Sequence, residues 1–93
     1  MVYAFANIIV STPENLTAYR EVAGEALARH NGRVVTAVPK LTTLEGEGPT
    51  TGIGALLEFE TTENAHNWMN DPDLSDIHAL RNSAGQSNIT LMG

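Results

Sequence analysis

Few side chains in this 93-residue sequence are equipped for chemistry: three histidines, one tryptophan, five basic residues and no cysteine. An imidazole titrates near neutral pH, which makes His30 a candidate general acid or base. His30 also ends the apolar stripe of the first predicted helix, where an imidazolium is favoured by the helix dipole without any catalytic role. His78 and Arg81 share one side of a later helix with Leu74 and Ile77. Polar groups among apolar ones must find partners, because burying them unpaired is costly. Arg81 is expected to pair with Glu58, the one charge inside the third predicted strand. Its planar fork suits a substrate carboxylate or enolate oxygen equally well. Trp68 is either a core anchor or a pocket wall on which a flat substrate stacks. Asn7 interrupts an apolar strand and needs hydrogen bonds from the fold, from water or from a ligand. Asn64 lies one helical turn before Trp68 and would rim the same cavity. His30, Arg81 and Asn7 are therefore the catalytic candidates, and Trp68, His78, Glu58 and Asn64 the substrate-binding ones.

Other chemistries lack their residues. Without cysteine there is no disulfide framework, thiolate zinc site or thiol nucleophile. The histidines have no paired metal-ligand spacing, and His66 falls on the outer side of its helix. P-loop, dinucleotide and nucleophile-elbow patterns are missing, so neither a cofactor nor a metal is expected. Eleven acidic residues against five basic ones leave a net charge of −6. That sign repels phosphate, and the basic residues form no patch, which argues against nucleic acid and anionic membranes as partners. The start, Met1 to Asn7, has no basic n-region, and no apolar run nears the roughly 18 residues of a membrane span. A cytoplasmic location is expected.

The elements that must hold these side chains are legible from periodicity. Val2 to Val10 reads as a strand. Thr12 is the expected N-cap of a helix with Pro13 at its first position. Leu16, Tyr19, Ala23, Leu27 and His30 form its apolar stripe, and Asn31-Gly32 its left-handed stop. A second strand runs from Val34 to Val38, continuing irregularly through Leu41 and Leu44 to a turn at Glu45–Pro49. A third covers Gly52 to Glu60. A second helix opens at Thr61-Thr62-Glu63 and breaks at Asp71-Pro72, before a short third helix. A last strand covers Asn88 to Met92. The order is β-α-β-β-α-β, a ferredoxin-like α+β domain over residues 1–93 with both helices on one face of a four-stranded antiparallel sheet.

Such a sheet should alternate apolar and polar side chains. These strands do not. Tyr3, Phe5 and Ile9 oppose Val2, Ala4, Ile8 and Val10; Leu56 opposes Ile53, Ala55, Leu57 and Phe59; Val35 and Ala37 oppose Val34 and Val38. An apolar face without helices needs a cover. A second copy laid sheet to sheet about a two-fold axis supplies one, so a homodimer is expected.

The strings His30-Asn31-Gly32-Arg33, Leu44-Glu45-Gly46 and Leu57-Glu58-Phe59, then Ala65 with Trp68, Leu80-Arg81 and Gly93, resemble the domain of unknown function 1330 family. Asn31 stands where that family usually has glycine, and Asp71-Pro72 replaces a serine-containing turn. The resemblance implies a dimeric α/β barrel and no particular reaction. Asn7, Trp68 and His78 also resemble the asparagine, tryptophan and histidine that cofactor-independent and haem-degrading oxygenases of that superfamily use. Three functions follow as expectations. The first is a pocket for a small organic ligand between sheet and helices, with or without cofactor-free oxygenase, isomerase or cyclase chemistry. The second is haem binding or degradation with His78 as axial ligand. The third is a non-catalytic dimeric ligand-binding module.

Overall fold

The computed structural model describes residues 1–49 and 51–93. The elements are β1 (Val2–Val10), α1 (Pro13–Ala28), β2 (Gly32–Val38), β3 (Ile53–Phe59), α2 (Thr62–Asn70), a 3₁₀ turn (Pro72–Leu74), α3 (Ser75–Ala84) and β4 (Gly85–Met92). The strands form one antiparallel sheet in the order β2-β3-β1-β4. This is the ferredoxin-like β-α-β-β-α-β arrangement, with the second helix split in two.

Local chemistry accounts for the boundaries. Pro13 opens α1 where its missing N–H is harmless. Thr12 occupies the cap position, but its hydroxyl makes no capping bond; the Ser11 and Thr12 amides instead donate to the Ala84 carbonyl and tie the start of α1 to the end of α3. Asn31 takes the left-handed conformation at φ 55° and turns the chain into β2. β2 ends at Val38, and the expected irregular continuation is not formed: Pro39 has no N–H to give a ladder, and Leu44 is 96% exposed. β4 begins at Gly85, earlier than expected, because Gly85, Gln86 and Ser87 pair with Val10, Ile9 and Ile8. Thr61 caps α2 by accepting the Asn64 amide, and Asp71 caps the 3₁₀ turn by accepting the Asp73 amide.

The pleat sorts side chains onto two faces. Ala4, Ala6, Ile8, Leu57 and Phe59 point toward the helices and pack under Leu16, Leu27, Trp68 and Leu74. Tyr3, Phe5, Asn7 and Ile9 point the other way with Leu56 and Glu58. In β2 the expected grouping is corrected by a bulge. The register slips between Val34 and Thr36, so Val34 pairs with Leu57 and Ala37 with Ala55 on the helix side, whereas Val38 pairs with Gly54 on the helix-free side. The β2–β3 connection returns over part of that helix-free face, with Leu41 seated on Gly54 and the Asn7 amide held to the carbonyls of Thr51 and Ile53, each at 3.1 Å. Among the described residues no helix is long and apolar enough to cross a membrane.

Candidate functional site

Residues three apart on a helix lie on one face, and α3 uses this spacing to stack His78 and Arg81 against the sheet side of the molecule. Arg81 Nη1 donates to His78 Nδ1 at 2.8 Å, and His78 Nε2 lies 2.8 Å from the Trp68 carbonyl. Guanidinium can only donate, so Nδ1 is the acceptor and Nε2 carries the proton that the Trp68 carbonyl receives. His78 is thus a neutral imidazole of defined tautomer. Burial holds its pKa below the ordinary histidine value, and the neighbouring Arg81 charge adds to the effect. The Trp68 ring meets His78 edge-on at 4.8 Å and Phe59 at a tilt at 5.6 Å.

Arg81 is the unusual member. It is 4% exposed, yet no carboxylate among the described residues pairs with it. Its guanidinium lies between two aromatic faces, 5.3 Å from the Trp68 ring centroid and 5.6 Å from that of Tyr19. Nη1 reaches the Tyr19 hydroxyl at 3.4 Å, and the buried Nε–H has no acceptor. The expected Arg81–Glu58 pair does not form. Glu58 points to the helix-free face, where its cross-strand neighbour Arg33 bonds it at 3.0 Å. A hydrogen bond from Tyr3 to that carboxylate also raises the Tyr3 pKa.

Beside this cluster, between α1 and the sheet, lies a cavity of about 340 Å³. Ala6, Ile8, Leu27 and Leu57 form its depth, and Tyr19 lines it while touching Arg81. Its exposed rim is Arg20 and Gly24 from α1 with Val34 and Ala37 from β2. A smaller cavity of about 170 Å³ opens by Trp68, Phe59 and Met69, and Ile89 lines both. Arg81 packs against both Tyr19, which lines the larger cavity, and Trp68, which lines the smaller one.

The other sequence candidates lie elsewhere. His30 Nε2 donates to Asp71 at 2.8 Å, joining the end of α1 to the α2–α3 break, where Arg29 also reaches Asp71 and Asp73. The His30 hydrogen bond holds the Asp71 carboxyl below the usual carboxylate value. Asn64 exchanges hydrogen bonds with Thr61 at the start of α2. Asn7 is committed to the loop on the opposite face of the sheet. The fold therefore brings together Trp68, His78 and Arg81, and leaves His30, Asn7, Glu58 and Asn64 apart from them.

A family model described as a domain of unknown function, DUF1330, matches residues 1–93. The chain belongs to the DUF1330 family. Among solved structures, this DUF1330 chain is similar to a protein of unknown function from Rhodopseudomonas palustris, at 16% identity and TM-score 0.72 over 98% of this chain and 79% of that one. It is also similar to a dimeric ferredoxin-like protein of unknown function from Jannaschia sp. CCS1 (7% identity, TM-score 0.70, covering 99% and 97%). A third likeness is to an antibiotic biosynthesis monooxygenase (13% identity, TM-score 0.56, covering 100% and 97%). At such identities the likeness is one of fold. No curated protein matches the sequence.

Haem does not fit the DUF1330 site. Both ring nitrogens of His78 are engaged, and the ring is 8% exposed beneath Trp68, so it offers no free lone pair to an axial position. No three His, Asp or Glu side chains of the described residues converge to hold a metal ion. Tyr19 is the residue that sequence reasoning passed over. It was legible as a hydroxyl on an apolar helical stripe, the same signal that marked Arg81.

Proposed function

We propose that this DUF1330 protein is a homodimer that binds one small organic molecule per subunit in the cavity between α1 and the sheet. Tyr19 lines that cavity, and the Trp68–His78–Arg81 cluster lies behind it, touched through the Tyr19–Arg81 contact. The observation that carries the reading is a preformed apolar cavity of about 340 Å³ beside a buried arginine without a carboxylate. Ligand sites are typically concave, mostly apolar and furnished with a few convergent polar groups. The dimer is supported by the apolar side chains on the helix-free face and by the dimeric relative from Jannaschia. Binding is favoured over proton-transfer catalysis because the His78 lone pair is taken by Arg81, which leaves no free base in the cluster. A cofactor-independent oxygenase or isomerase is the second reading. It draws on the cation at Arg81, which would stabilise an anionic intermediate.

A thermal-unfolding screen of small organic compounds tests the pocket. Compounds that raise the melting temperature of the wild type should lose that effect in Gly24→Leu, which narrows the rim, and in Ala55→Phe, which fills the floor. Equal stabilisation of all three proteins, or none in the wild type, would remove the pocket from the account.

A further inference from the structure

We infer that the ligand of this cavity is an organic anion, a carboxylate on an apolar body, whose charged end is taken by Arg81 together with Tyr19. The inference rests on the pocket reading above and adds to it the chemical class of the occupant. A guanidinium removed from water without a counter-ion is unfavourable, and folded proteins meet that cost with a paired carboxylate or a bound anion. Here the chain supplies no carboxylate, and the two aromatic faces and the His78 nitrogen satisfy Arg81 only in part. Its Nε–H is left without an acceptor. The Nη1 bond to Tyr19, at 3.4 Å, is longer than the roughly 2.7–3.2 Å of a good N–H···O bond, so a carboxylate oxygen can displace it with gain.

Tyr19 supplies the second donor. Its oxygen accepts from Arg81, while its own O–H has no acceptor among the described residues and is free to turn to an anion. The rest of the cavity agrees in sign. Although the chain carries a net charge of −6, none of the residues lining this cavity is acidic, and Arg20 stands at its exposed rim. Of the five basic residues, Arg20 lines the cavity, and Arg81 lies directly behind its Tyr19 wall. The buried aliphatic depth, from Ala6 and Ile8 to Leu27 and Leu57, takes the apolar body.

Octanoate, 1-octanol and octylamine share one apolar chain and differ only in the charge of the head. Trp68, the only tryptophan, packs on the guanidinium and reports their binding by fluorescence, with calorimetry as a check. In the wild type, octanoate should bind at least tenfold tighter than 1-octanol, and octylamine weakest. In Arg81→Gln the affinity for octanoate should fall to that for 1-octanol measured in the same variant, and Tyr19→Phe should reduce the octanoate preference in part. Equal affinity for octanoate and 1-octanol in the wild type overturns the anion inference and leaves the pocket intact. Failure of all three to bind overturns the pocket as well. The wild-type comparison decides between these outcomes even where Arg81→Gln does not fold.

Discussion

His78 and Arg81 illustrate how one cation can fix the state of a neighbouring base. Arg81 donates to Nδ1, so the imidazole must be neutral and must present its proton at Nε2. Because burial lowers its folded pKa, His78 contributes stability that is complete above its unfolded value of 6.5 and is lost as pH falls toward the lower folded value. Chemical denaturation between pH 7.5 and 5.5 should therefore show declining stability, and His78→Gln should flatten the decline. Asp71 acts in a separate window, since its depressed pKa gives stability present above 3.8 and lost only below that. An unchanged slope in His78→Gln would place the titrating group elsewhere. Helical spacing put His78 and Arg81 on one face of α3. The approach of Trp68 depends on how α2 and α3 fold back on each other across the Asp71-Pro72 break, which spacing within one helix does not give. The partner of Glu58 was not legible either, because its face depends on strand register, and register joins it to Arg33 across β2 and β3.

At the scale of elements, sequence punctuation marked nearly every boundary: Pro13, Asn31-Gly32 and Asp71-Pro72 stand where α1, its left-handed stop and the α2–α3 break occur. What it did not mark was non-local. The β2 bulge exists because β2 must follow β3, and β4 starts early because Gly85 can lie against β1. His30 belongs to this scale too, since its contact with Asp71 fastens α1 to the break after α2. Two glycines make opposite predictions. A Cβ on Gly24 would meet nothing within 4 Å, so Gly24→Ala should stabilise α1 by about 1 kcal/mol through helix propensity. A Cβ on Gly32 would lie 2.7 Å from the Phe59 ring, itself 1% exposed, so Gly32→Ala should cost about 1–3 kcal/mol by overpacking. Denaturant midpoints of the two variants should move in opposite directions; movement in the same direction would contradict the packing described.

For the whole molecule, the question is what covers the side of the sheet that has no helices. Leu41 and the Asn7-anchored loop shield part of it, while Ile9 and Val38 remain 40% exposed and Met92 62%. The failure of β1 to alternate made Ile9 legible as part of a second apolar face, but nothing in the periodicity announced that a loop would return over that face. In the proposed dimer each hundred Å² of apolar surface covered contributes about 2.5 kcal/mol. Ile9→Lys places a charge in that contact and leaves the subunit's own core untouched, so it should weaken dimerisation at least tenfold by sedimentation with little change in secondary structure. In the proposed dimer the partner lies on one side of the sheet and the ligand on the other, which fixes a stoichiometry. Native mass spectrometry with added octanoate should give two chains carrying two ligands. A lone chain at micromolar concentration, or a dimer holding a single ligand on its axis, would contradict it.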